Sequence, residues 1–265
     1  MPPAPACAAL TASDHTPQPM RHTHTPSTTP SPASAATPAG QAASTTAPGK
    51  RLLILGATGA VGREVLRLAL QHPQVQQVLA PTRRPLPAHP KLVNPITDFA
   101  RPEEALAEGA LAGGGVDAVV CALGTTIRQA GSQAAFAAVD RDLPIALGRA
   151  ALRLGARSLA LNSSLGASAS GNFYLRTKHQ AEEGLRQLGF ASYTVVRPSL
   201  IDAQRTESRP GERMGLWVSR LLGPLIPQRY RPVAASAIAR TLLQAALDAE
   251  PGQHTIESEQ IGAAD

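Results

Sequence analysis

Tyr174 and Lys178 stand four residues apart in FYLRTKHQAEEGLRQL, residues 173–188, in a chain with three tyrosines. The stretch has helical spacing, and residues four apart on a helix share a face. A free phenol ionises near pH ~10, and an ammonium beside it favours the phenolate and lowers that value. Such a phenol can give a proton to a carbonyl oxygen, or take one from an alcohol, near neutral pH. A second hydroxyl would orient the reacting oxygen. SLALNSS, residues 158–164, offers Ser163 and Ser164 at the end of an apolar run. Alternation along a strand lets only one of them face a site; Ser164 is preferred, with Ser163 in reserve. The expected catalytic set is Ser164, Tyr174 and Lys178. Alone, the Tyr–Lys spacing fits an amphipathic helix with a half-buried tyrosine equally well.

What makes the pair more than spacing is LLILGATGAVGREVL, residues 52–66, which sets Gly56, Gly59 and Gly62 between an apolar run and a helical pattern. The spacing is GxxGxxG, not the GxGxxG dinucleotide fingerprint, but the physics is shared. Gly56 permits a sharp turn, Gly59 lets backbone approach a diphosphate, and Gly62 allows close helix-to-strand packing. The helix N-terminus supplies N–H groups and a positive dipole end. Thr58 and Val61 belong to the same expected cradle. No Lys-Ser/Thr follows, which excludes an NTP-binding P-loop. A turn with glycines for packing alone is the plainer alternative; the flanking strand and helix favour a dinucleotide.

The end of the second strand indicates which dinucleotide. NAD sites usually place an acid there for the ribose 2′-OH. This chain has APTRRPL, with Arg83 and Arg84 and no acid. A guanidinium binds a 2′-phosphate bidentately, so NADP(H) is expected over NAD(H). Thr82 is a further hydroxyl there, Asp98 is expected near the adenine, and Leu123 and Gly124 of CALGTT beside the cofactor. Lysine at 178 would also grip the ribose.

These residues need a scaffold. Apolar runs at 51–56, 75–84, 91–94, 116–124, 156–164 and 191–198 read as strands, separated by helical patterns at 60–72, 101–111, 132–155 and 173–188. Alternating strands and helices imply an α/β fold, a Rossmann doubly wound parallel sheet with helices on both faces. After Pro198 the alternation weakens, and residues 198–232 read as a small C-terminal cap on the substrate side. Residues 1–48 are rich in Pro, Ala, Ser and Thr; they read as a disordered tail. The folded domain is expected over 49–265.

Composition narrows the function classes. The net charge of +6 is spread without a basic block, so no nucleic-acid partner is expected. No apolar run reaches the roughly 18 residues of a membrane span. Cys7 and Cys121 are far apart and no metal-ligand spacing exists, so no metal and a cytoplasmic setting are expected. His15, His22, His24 and His89 lie in tail or loop stretches, His179 points off the Tyr–Lys face, and no GxSxG elbow exists. Asp140 in AVDRDL suits a salt bridge or an anchor for a cofactor-side loop. RTESRPGER, residues 205–213, suits an anionic substrate or internal ion pairs, and Trp217 suits packing in the cap.

GATGAVG, NSS, YLRTK and VVRPSLI, in this order, resemble the short-chain dehydrogenase/reductase superfamily in its atypical or extended branch. CALGTTIRQAG, FAAVDRD, NSSLGAS, NFYLRTKHQAE, VVRPSLI and RTESRPGER together resemble the Tat-interacting-protein-like oxidoreductases. The likeness covers residues 51–245. It implies a Rossmann fold, NADP(H), and the set Ser164, Tyr174 and Lys178 acting on a small carbonyl or alcohol. It also implies that Arg197 and Pro198 lie on the ligand side, where the substrate pocket begins. Some relatives are partner-binding regulators, so the alternative is an NADP(H)-binding sensor or interaction module with little turnover. A monomer or homodimer is expected. The chain departs from the family in its short serine-to-tyrosine separation and its long N-terminal tail.

Overall fold

The computed structural model describes residues 49–102, 104, 106, 114–202 and 227–262. The expected tail, most of the helix at 101–111, the 205–213 string and Trp217 lie outside them.

KRLLIL forms β1 (Lys50–Leu55), whose last four residues are almost wholly buried. Successive side chains of a strand face opposite ways. Leu52 and Ile54 therefore enter one apolar layer and Leu53 and Leu55 the other. Each such burial stabilises by about 1.5–3 kcal/mol. A run apolar on both faces belongs at the centre of a covered parallel sheet. β1 does sit there, paired in parallel with β2 (Val75–Leu79) on one side and β4 (Ala118–Cys121) on the other. With β3 (Leu92–Val93), β5 (Ser158–Asn162), β6 (Ser192–Arg197) and β9 (Gly252–Glu257), the strands form a seven-stranded parallel sheet in the order β3-β2-β1-β4-β5-β6-β9.

Strand order reverses between β1 and β4. The loops there diverge and open a crevice at the carboxyl edge, the place where such sheets bind ligands. Helix α1 (Ala60–Gln71) and helix α6 (Ala235–Asp248) cover the face of Leu52 and Ile54. Helix α4 (Leu143–Arg153) and helix α5 (Phe173–Arg186) cover the face of Leu53 and Leu55. The doubly wound reading of the sequence is what folds.

Two departures matter. The expected helix at 132–155 is three pieces: α3 (Gln133–Ala137), a π-helical turn (Ala138–Asp142) and α4. Pro144 lies in the first turn of α4. Lacking an N–H, it cannot bond the Asp140 carbonyl, and the preceding turn widens. β9 was not expected from GQHTIE, which mixes polar and apolar residues. It pairs with β6 at the sheet edge, where one side needs no apolar cover. A short helix, α2 (Ile127–Ala130), precedes α3. Beyond β6 a two-stranded parallel pair, β7 (Ile201–Asp202) with β8 (Val233–Ala234), stands where the cap was expected. Among the described residues no helix is long and apolar enough to cross a membrane.

Candidate active site

The crevice is a cleft of about 1090 Å³. One wall is the glycine loop. Gly56 has φ +86°, a left-handed conformation costly to any residue with a Cβ, and a methyl there would lie 2.6 Å from the carbonyl oxygen of Ala122, the residue after β4. A methyl at Gly62 would lie 2.0 Å from the Gly56 carbonyl oxygen, so the first turn of α1 can sit on the loop only without a side chain. Gly59 lines the cleft as the residue before α1 and makes no side-chain cap to the helix. With no acid in its first turn, α1 presents uncapped N–H groups to the cleft. Such an end suits an anion. Val61, Leu123 and Gly124 line the same wall. Thr58 is exposed and, with Gly56, shapes the loop rather than the lining.

The opposite wall carries the Tyr–Lys pair and the two serines. The Asn172 side chain accepts from the Leu175 N–H at 3.0 Å and starts α5 at Phe173, so Tyr174 falls in the first turn. Its ring packs on Phe136 of α3, centroids 5.5 Å apart. Lys178, one turn on, is buried with its Nζ 5.9 Å from the Tyr174 ring centroid. Tyr174, Lys178, Ser163 and Ser164 all line the cleft.

The two serines differ in what they are free to do. Ser163 is 5% exposed and its Oγ donates to Oε1 of the wholly buried Glu182. Ser164 is half-buried and its Oγ has a long 3.4 Å contact to the Leu165 carbonyl. The hydroxyl able to turn toward a ligand is that of Ser164.

Asp140 does both things considered for it. It is 2% exposed; its Oδ1 lies 2.7 Å from Lys178 Nζ, and its Oδ2 accepts the Thr125 N–H at 2.8 Å. The carboxylate thus ties Lys178 to the loop after β4. Burial alone would lower the lysine pKa; Asp140, assisted by Tyr174, outweighs it, and the value is raised. The sequence signal beside this carboxylate is Pro144, which leaves the Asp140 carbonyl without its α-helical donor. Cys121 of β4 lies beneath, and burial pushes its thiol up to about 11.

Arg197 corrects the expectation drawn for it. Its guanidinium meets Glu182 and Glu257 instead of the ligand side, and it does not line the cleft, whereas Pro198 does. An arginine flanked by two carboxylates in a half-buried setting is held by them, and these partners keep its pKa above the usual range. Thr82 is likewise spoken for: it is 3% exposed, donates to the Arg84 carbonyl at 2.6 Å and accepts from Asn94 at 2.8 Å.

At the far end of the sheet edge, Arg83 and Asp98 line a second hollow of about 510 Å³, with Thr97, Arg101 and Glu104. Arg84 is exposed and stands outside that lining. Asp98 Oδ1 accepts the Ala100 N–H at 2.9 Å. Arg63, which sequence reading passed over, lines the main cleft beside Gly59. Its position just inside a helix after the glycine loop was the available signal. Among the described residues no group of three His, Cys, Asp or Glu could hold a metal.

The glycine cradle, the uncapped helix end and the cleft volume fit a dinucleotide. Comparison with known proteins agrees. The NAD(P)H-binding family matches residues 56–216. Protein HTATIP2 of Rattus norvegicus is 32% identical over 208 residues, 77% of this chain and 84% of that protein. Protein fmp52, mitochondrial, of Emericella nidulans is 30% identical over 214 residues, 78% of this chain and 92% of that protein. Among solved structures, the ligand-free aldohexose dehydrogenase of Thermoplasma acidophilum superposes with a TM-score of 0.63 at 14% identity, over 80% of this chain and 94% of that one; at that identity the likeness concerns the fold. With the glycine loop, the cleft and these relatives together, the chain belongs to the NAD(P)H-binding family, among the atypical short-chain dehydrogenase/reductases akin to HTATIP2 and FMP52.

Proposed function

We propose that the protein is an NADP(H)-dependent oxidoreductase that interconverts a small carbonyl compound and its alcohol. The observation that carries this reading is the convergence of Ser164, Tyr174 and Lys178 on one cleft whose other wall is the glycine loop. A bound nicotinamide would supply the hydride to the carbonyl carbon, or take it back from the alcohol. In reduction the Tyr174 phenol would give its proton to the carbonyl oxygen, leaving an alcohol and a phenolate. The phenolate regains a proton from solvent; oxidation runs the same steps backward. Lys178 holds the ribose and favours the phenolate electrostatically, and the Ser164 hydroxyl orients the substrate oxygen.

NADP(H) is proposed over NAD(H) because Arg83, in the loop after β2, lines the hollow that also holds Asp98, where an adenosine would lie. Gly59, Val61, Gly62, Leu123 and Gly124 would hold the rest of the cofactor. The protein is proposed to act as a monomer or homodimer. The cytoplasmic setting expected from its cysteine usage is also our proposal; the FMP52 relative is named mitochondrial, and fractionation of cells expressing the tagged chain decides between the two.

The test is NADPH oxidation across a panel of aldehydes and ketones with the parent and Tyr174→Phe. Turnover by the parent that falls ~10²–10⁴-fold in the variant, with NADPH affinity retained, supports the reading. Full turnover by Tyr174→Phe would overturn it. Tight NADPH binding with no turnover on any substrate would favour a sensor or interaction module.

A further inference from the structure

Asp140 was not among the residues expected to do chemistry, yet it sits at the hinge of the site. It is 2% exposed, and both its oxygens are committed: Oδ1 to Lys178 Nζ at 2.7 Å and Oδ2 to the Thr125 N–H at 2.8 Å. It is carried by a π-helical turn, a wide turn often found at functional sites. Resting on the catalytic reading above, we propose that Asp140 is a positioning residue that keeps Lys178 charged and aimed into the cleft, and ties its position to the loop that flanks the cofactor.

The groups around the ammonium support the assignment. From its own helix it faces the Tyr174 ring, from β4 the Cys121 thiol, and from the loop after β4 Gly124, where a methyl would lie 3.8 Å from Nζ. Tyr174 offers an aromatic face and a phenol, and the thiol stays protonated in the neutral range because burial pushes it up to about 11. The carboxylate of Asp140, 2.7 Å from Nζ, is the acidic partner in this set. A lysine this buried, without a carboxylate, would hold its proton less tightly, since desolvation penalises the charged form. Two distinct duties follow for one side chain. Its charge holds the proton on Lys178, and its second oxygen holds the backbone of Thr125. Asp140→Asn separates them, because the amide oxygen can still accept the Thr125 N–H while the negative charge is gone.

The chain has three lysines, Lys50, Lys91 and Lys178, so each Nζ can be followed by NMR in protein labelled at lysine. In the parent the Lys178 signal should remain that of an ammonium through the alkaline range. In Asp140→Asn it should titrate at least about one pH unit lower, with Lys50 and Lys91 unmoved. The alkaline limb of carbonyl reduction should move the same way, because reduction uses the charged lysine. A Lys178 titration unchanged in Asp140→Asn would overturn the proposal. The NMR arm needs neither cofactor nor substrate, so its failure leaves the oxidoreductase reading standing, and absence of turnover in the parent leaves this result intact. Should Asp140→Asn not fold, Asp140→Asn combined with Lys178→Met removes both charges together. Recovery of the unfolding midpoint above that of Lys178→Met alone supports the pairing; no recovery would overturn it.

Discussion

Arg197 of β6 and Glu182 of α5 form a two-pronged ion pair, Nε to Oε1 at 3.0 Å and Nη2 to Oε2 at 2.6 Å. Glu182 has no exposure, and its Oε1 also accepts from Ser163, while the Arg197 Nη1 reaches Glu257 of β9 at 3.1 Å. One guanidinium thereby fastens the helix that carries Tyr174 and Lys178 to two strands of the sheet. Its role is to hold the site's frame.

Removing one partner of such a pair leaves a buried charge uncompensated, at a cost of about 3–5 kcal/mol. Arg197→Leu is therefore expected to lose stability on that scale in urea unfolding. Arg197→Leu combined with Glu182→Leu should recover part of the loss, because both charges then disappear. An Arg197→Leu protein as stable as the parent, with weakened cofactor binding, would return the residue to the ligand side.

The serines predict opposite phenotypes. Ser163→Ala strips a hydroxyl from the buried Glu182 and should cost about 1–3 kcal/mol of stability with little change in turnover per folded molecule. Ser164→Ala removes a hydroxyl held by one long contact. It should leave the unfolding midpoint in place and lower kcat. Melting curves and initial rates on the two variants check the division; a reversed pattern would make Ser163 the substrate-facing residue.

Arg83 and Arg63 line different hollows, and the proposed cofactor would span both. A charged hydrogen bond is worth about 1.5–3 kcal/mol. Arg83→Ala should thus weaken NADPH by roughly 10- to 100-fold and NADH hardly at all. Arg63→Ala, beside the helix end that faces the diphosphate, should weaken both cofactors by a similar factor. Calorimetric titration of each variant with NADPH and NADH reads the difference directly.

Cys121 makes the fold sensitive to alkali. Its thiol is raised from 9.0 to about 11 by burial in the layer under the site. Between those values the unfolded chain has released this proton and the folded chain has not, so stability falls as pH rises through the window. The loss is about 2–3 kcal/mol, set by the two-unit gap. Below the lower value the thiol is protonated in both states and contributes no slope. Cys121→Ala should flatten the part of the curve that begins near 9, as urea unfolding at a series of pH values would show. Lys178, also raised, adds a loss that begins at its ordinary value of 10.5, where the unfolded chain gives up that proton and the folded lysine keeps it.

The sheet was legible from the sequence because its central strands are short runs apolar on both faces. LLIL and AVVC need cover above and below, and only a parallel sheet with helices on both sides supplies it. The glycine loop was legible for a related reason: Gly56 and Gly62 stand where any Cβ would strike backbone. β9 escaped because an edge strand has a looser apolar requirement, and the π turn escaped because hydrophobic periodicity does not register one extra residue per turn.

Spacing along the chain was enough to put Tyr174 and Lys178 on one helical face, since a helix makes neighbours of residues four apart. It was not enough to assign partners that come from other elements. Asp140 lies 38 positions before Lys178 in the sequence, and Arg197 could bind an anion or a carboxylate until Glu182 and Glu257 stood beside it. Which charge meets which depends on the packing of helices against the sheet, because electrostatic partnership is set by distance and burial in three dimensions, and a residue's type records only what it is able to do.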